Sequence, residues 1–166
     1  VKSSIEAYNT HDINRAVEYE GEAIVQYSPE RPRGVMGREW SRQSMAADFV
    51  ASPDIQFKVE RIVGQGDWVS VQGVMTGTNT GPMWTNKGRK IKATKRRFSI
   101  PQAAFHMFQD GKIVESHHYY DTLNVMAQLG LLGKNVLKAL VLIASGLTLL
   151  VVQGTILTYL YYLYYP

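Results

Sequence analysis

QAAFHMFQ at 102–109, DG at 110–111 and KIVESHHYY at 112–120 form the stretch on which the fold turns. Both flanks are rich in aromatic and β-branched residues. Asp-Gly between them suits a two-residue hairpin, whose central residues both take φ > 0. In unbroken register Gln109 faces Lys112 and His106 faces Glu115. Side chains alternate along a strand, so Glu115, His117, Tyr119 and Asp121 are expected on the face that carries His106. That polar face either lines a pocket or meets solvent. Asp121 lies six residues beyond Glu115, roughly 20 Å along an ideal strand, so His106 reaches it only across a bulge. The adjacent His117 and His118 point to opposite faces and are poorly placed to chelate one ion. No metal and no cofactor is expected.

Outward from the hairpin, 55–63 alternates apolar and polar residues, 64–66 turns, and 68–77 is a valine-rich strand. Residues 78–90 are turn-prone, and 90–100 reads as a polar strand. The N-terminal third is helical in pattern. Segments 3–8, 13–18 and 37–50 read as helices, the second capped by Asp12 and the third with Trp40, Met45 and Phe49 at helical spacing. A strand is expected at 23–27, a Pro/Gly loop at 29–34, and a last short helix at 122–132. Helices followed by four or five antiparallel strands give an α+β fold: a curved antiparallel sheet with helices on one face, a cone-shaped, cystatin-like roll able to enclose a pocket. Asp121 falls at the last strand-to-helix junction, where it can face that pocket, cap the helix, or do both.

The chain of 166 residues is 45% apolar and carries a net charge of +4, enough apolar content for a core. The absence of cysteine excludes disulfides, thiolate metal sites and a cysteine nucleophile. The positive charge is concentrated: Lys87, Arg89, Lys90, Lys92, Lys95, Arg96 and Arg97 place seven cations in eleven residues without an acid. Such a run serves as a solvated edge that discourages sheet aggregation, as a contact for anionic lipid, or as a docking face for an acidic partner protein. It lacks the interleaved aromatics of a nucleic-acid surface, and no nucleic acid is expected.

Residues 139–166, ALVLIASGLTLLVVQGTILTYLYYLYYP, contain no charge over 28 positions. A helix needs about 20 apolar residues to cross a bilayer. Lys134 and Lys138 precede the run, and Tyr159, Tyr161, Tyr162, Tyr164 and Tyr165 close it, as interfacial anchors would. Gly146, Gly154 and Gln153 suit packing against another membrane helix, although small residues are common in such helices generally. The expectation is a domain at 1–133 and a single transmembrane anchor at 134–166, a buried core helix being the alternative. The lysines vote for the domain on the cytoplasmic, stromal or matrix side. The first residue is Val1 rather than methionine, as expected of a processed or trimmed chain, and an organellar membrane, thylakoid or inner mitochondrial, fits that.

IEAYNTHDINRAVEYE at 5–20, FVASPDIQFKVERIVGQGDWVSVQGVMTGTNTG at 49–81, FQDGKIVESHHYYD at 108–121 and MAQLGLL at 126–132 resemble, in order and spacing, the SnoaL-like polyketide cyclase group of the nuclear transport factor 2-like superfamily. The resemblance implies an α+β cone with a deep apolar pocket. It also implies ring closure by aldol chemistry, with an acid/base carboxylate before QLG that corresponds to Asp121. Two departures weaken that transfer. Gly77-Thr78-Asn79-Thr80-Gly81 has asparagine where the family often has histidine, and an amide carries no proton as imidazole does. Ser116, His117 and His118 stand where a tryptophan is usual.

Three functions follow as expectations. The first is a non-catalytic accessory subunit of a larger membrane protein complex, held by the tail and the basic strand. The second is a membrane-tethered cyclase or isomerase using Asp121, and more distantly His106, on an apolar substrate. The third is a carrier of a hydrophobic small molecule. A pocket filled by its own side chains favours the first, and a buried pocket around Asp121 that is open to solvent favours the second.

Overall fold

The structure is a computed structural model that describes residues 1–85 and 88–132. The expected membrane helix, with Gly146, Gln153 and Gly154, lies outside the described residues, as does Lys87. Among the described residues no helix is long and apolar enough to cross a membrane. The chain divides into two units, Val1–Gly130 and Leu131–Pro166, and the elements of the described residues belong to the first.

Helices α1 (Lys2–Asn9) and α2 (Ile13–Glu18) lead into strands β1 (Glu20–Ser28) and β2 (Arg31–Met36), then α3 (Arg38–Ala51). Strands β3 (Gln56–Gln65) and β4 (Trp68–Thr78) follow, then the two-residue strands β5 (Met83–Trp84) and β6 (Lys90–Ile91). Strands β7 (Arg97–Gln109) and β8 (Lys112–Tyr120) form the hairpin, and α4 (Thr122–Gln128) follows. Six strands make one sheet in the order β2-β1-β8-β7-β4-β3, and β5 and β6 pair separately. Helices α1, α2, α3 and α4 pack on β3, β1, β1 and β7 respectively. The core gathers Val17, Ile24, Val71, Ile100 and Ile113.

The sheet is mixed, where an antiparallel one was expected, because β1 runs parallel to β8. The two strands are joined by most of the domain, so no hairpin dictates their relative direction. The expected loop at 29–34 is largely the edge strand β2, where Pro32 needs no ladder donor on its outer side. The expected strand at 90–100 is interrupted at 92–96. There the buried Asn79 recruits the backbone: its amide donates to Ala51 O and Gly81 O, and its Oδ1 accepts from Thr94 N at 2.8 Å. The Asn79 main chain also pairs with Arg96 O and Lys95 N. These bonds satisfy a fully buried amide and give Asn79 a structural role at the position where the family often carries histidine. They also draw Gly81 against α3, where a Cβ would meet Val50 O at 1.8 Å.

The Asp110-Gly111 turn forms as expected, with φ of 50° and 75° and Gln109 paired with Lys112. Beyond it the register shifts: Phe108 pairs with Ile113, but Met107 pairs with Glu115. Val114 is the extra residue of a β-bulge, and one extra residue reverses which side chains face which way. His106 therefore faces Ser116 and not Glu115.

Candidate active site

A cavity of about 560 Å3 lies between the helices and the inner face of the sheet, within the range of small-molecule sites. Apolar side chains from every layer line it, among them Ile5, Trp40, Met75, Phe98 and Val125. The sheet contributes His106, Ser116, His118 and Tyr120, α3 contributes Asp48, and α1 contributes Tyr8. The cavity is open rather than filled by its own side chains.

His106 Nδ1 lies 2.8 Å from Ser116 Oγ, and its ring meets that of His118 edge-on, with centroids 5.8 Å apart. Burial pushes the His106 pKa down to about 3 and His118 helps to lower it. Burial likewise brings His118 to about 4, with His117 contributing. Both rings are therefore neutral at physiological pH. Each offers one N–H donor and one acceptor nitrogen.

Asp48 lines the cavity from the opposite layer, and its surface is exposed. Burial pushes its pKa up to about 6, against the lowering effect of the Tyr8 hydroxyl, which donates to Asp48 Oδ2 at 3.4 Å. Burial and Asp48 together raise the Tyr8 phenol. The Tyr120 hydroxyl donates to Glu30 Oε2 at 2.5 Å, and Thr122 Oγ1 donates to Glu30 Oε1 at 2.8 Å. Burial raises the Glu30 carboxyl, but these bonds outweigh it and hold the pKa below the usual value. At another part of the wall burial raises the Glu20 carboxyl, partly offset by Ser41 and Arg38. Glu20 Oε2 is buried without a partner among the described residues.

Asp121 takes the capping role of its two expected roles. Its carboxylate accepts from Asn124 N at 2.9 Å, it is exposed, and it does not line the cavity. His106 does line it, so the two residues are not brought together. Glu115, His117 and Tyr119 were expected with His106, and the bulge turns them to the outer face. There His117 Nε2 lies 2.6 Å from Glu115 Oε1, and its ring stacks on Tyr27 at 4.5 Å. Among the described residues no group of His, Asp and Glu is arranged to hold a metal. The sequence carried a signal for Asp48 that composition hides. Ser41, Ser44, Met45 and Asp48 follow helical spacing and all line the cavity, so a lone acid sits on the inward stripe of α3.

A helix-backed, curved mixed sheet enclosing an apolar cavity with a few ionisable groups defines an NTF2-like domain. A sequence profile of the SnoaL-like polyketide cyclase family matches residues 1–129. The chain belongs to that family. No curated protein matches the sequence. Among solved structures, AclR from Streptomyces galilaeus, a candidate hydroxylase, superposes with a TM-score of 0.66 at 25% identity, over 80% of this chain and 93% of its own. IdmH from Streptomyces antibioticus, a candidate polyketide cyclase, gives 0.63 at 27% identity over 78% and 94%. TsrD from Streptomyces laurentii shares the fold, with a TM-score of 0.66 at 24% identity over 79% and 92%.

Proposed function

We propose that the domain is a cyclase or isomerase that moves a proton on carbon next to a carbonyl in an apolar substrate. The observation that carries this is one open cavity holding a carboxylate with a pKa of about 6 and two neutral imidazoles. A base is most useful when its pKa lies near the working pH. Asp48 removes the α-proton, and a neutral imidazole N–H from His106 or His118 stabilises the enolate oxygen, as preorganised donors do. In ring closure the enolate carbon attacks a second carbonyl of the same molecule, and the alkoxide takes the proton back from Asp48. In isomerisation the proton returns to a different carbon. Neither route consumes a co-substrate. The Oε2 atom of Glu20, without a partner among the described residues, supplies a polar anchor for a substrate hydroxyl.

This assignment moves the acid/base role from Asp121, which the family resemblance implied, to Asp48. The experiment is solvent-deuterium exchange at the α-carbon of β-tetralone, a small bicyclic ketone, followed by proton NMR. Asp48→Asn is expected to lower protein-catalysed exchange by about a hundred-fold or more. Asp121→Asn is expected to leave it nearly unchanged, because asparagine caps a helix as well as aspartate does. The reverse pattern returns the role to Asp121. Exchange by neither the wild type nor the variants favours the accessory-subunit or carrier function. For the accessory role the sequence-level support remains the uncharged run 139–166.

A further inference from the structure

We propose that the β5–β6 ribbon and the cations after it dock the mouth of the cavity on an anionic lipid surface. Among the described residues, the large apolar side chains that are exposed away from the outer face of the sheet are Val50 at the end of α3, Trp84 on β5, and Leu123 and Met126 on α4. Each is, or is next in sequence to, a residue that lines the cavity, with the exception of Leu123, which lies two residues before Val125. Trp84 is 50% exposed and also lines the cavity, so it sits on the rim. Val125 on α4 and Leu129, which ends that helix, also line the cavity.

Positive charge is carried by the same stretch of chain as Trp84. Arg89, Lys90, Lys92, Lys95 and Arg96 are exposed, and the Lys90 ammonium lies 6.0 Å from the Trp84 ring centroid. Arg97 is set apart, since its charge acts on Asp54. An exposed indole with an ammonium beside it matches a bilayer interface. The ring prefers the headgroup depth, and each cation adds attraction to anionic lipid. An acidic protein surface would satisfy the cations but would leave Trp84, Leu123 and Met126 without an apolar partner.

The course of the chain gives the second argument. The chain leaves the domain at Gly130, where a Cβ would meet the Arg96 guanidinium at 2.6 Å. The uncharged run 139–166 follows in sequence. Gly130, next in sequence to the cavity-lining Leu129, therefore lies against one of the exposed cations. A mouth lying on the bilayer would let an apolar ligand pass from lipid to cavity without crossing water. This docking does not depend on the chemistry proposed for the cavity.

The test is fluorescence quenching of the full-length protein reconstituted with brominated phosphatidylcholine, alone or mixed with phosphatidylserine. The Trp84 signal is the difference between wild type and Trp84→Phe. Quenching of that signal is expected on the mixed vesicles and not on neutral ones. Arg89→Glu/Lys90→Glu/Lys92→Glu should abolish it, with the docked fraction falling roughly five-fold for each cation lost. The neutralising variant Arg89→Gln/Lys90→Gln/Lys92→Gln gives the same readout with less perturbation. A Trp84 signal that is unquenched on both vesicles, equally quenched on both, or unaffected by the charge changes overturns the proposal. None of these results bears on deuterium exchange, which is measured without lipid.

Discussion

His117 and His118 are neighbours in sequence and opposites in circumstance. On the inner face of the sheet His118 is neutral, enclosed by protein, and set against His106 over the cavity. On the outer face His117 stacks on Tyr27 and pairs with Glu115, beside the half-exposed Phe105 and Tyr119. The residue type is identical, and the assignment to a face decides the chemistry. That assignment follows the register beyond a single extra residue, Val114, because strand side chains alternate with a period of two.

The sharpest test of the contrast is to delete Val114. Without the extra residue Ile113 still pairs with Phe108 and Glu115 with Met107, so Glu115 and His117 keep the outer face and Ser116 and His118 the inner one. Straightening the strand at the bulge is expected to cost about 1–3 kcal/mol, read by urea denaturation, and to leave deuterium exchange in the cavity in place. A variant that folds but has lost exchange would mean that the two faces are not set by this pairing.

Acid lability separates the inner face from the outer one. His106 and His118 have folded values of about 3 and about 4 against 6.5 for the free side chain. The unfolded chain therefore takes up protons first, and stability falls as pH drops below 6.5. Asp48 acts in the opposite direction. Raised from 3.8 to about 6, it protonates first in the folded state and returns some stability as pH falls through that window. Thermal melts across this range should show a net loss. His106→Gln/His118→Gln should flatten it, and Asp48→Asn should deepen it. A loss that persists in the double histidine variant would assign it to other groups.

The smallest effect belongs to the outer face. The Glu115 and His117 side chains are partly exposed, and such pairs contribute about 1 kcal/mol or less. His117→Gln should shift the melting temperature by a few degrees at most and leave exchange in the cavity intact. His118→Gln should lower exchange with little effect on folding at neutral pH. Equal effects of the two changes would erase the distinction between the faces.

Much of the architecture was legible from local signals. Asp110-Gly111 announces the hairpin, Asp12 caps α2 through Arg15 N at 3.0 Å, and the alternation in 55–63 and 68–77 becomes β3 and β4. Non-local pairing was not legible. The parallel contact of β1 with β8 joins strands whose sequences carry no mark of each other. Proline at 32 reads as a loop unless the strand is known to be an edge. The bulge left one faint trace, Ile113 and Val114 in succession where alternation allows one apolar residue. The candidate site suffered most from that omission, because the shift exchanges Glu115, His117 and Tyr119 for Ser116, His118 and Tyr120. Asp48 was passed over because an acid in a mixed helix reads as a solvated residue until its stripe is traced inward.

The pH dependence of deuterium exchange tests the central claim most directly. With Asp48 as base, the rate should rise with pH through an apparent pKa of about 6 and then level off, since the two imidazoles stay neutral throughout. In Asp48→Asn the rising limb should disappear. An unchanged limb in that variant, or one centred on the ordinary carboxylate value of 3.8, would contradict the assignment of proton transfer to the inner face.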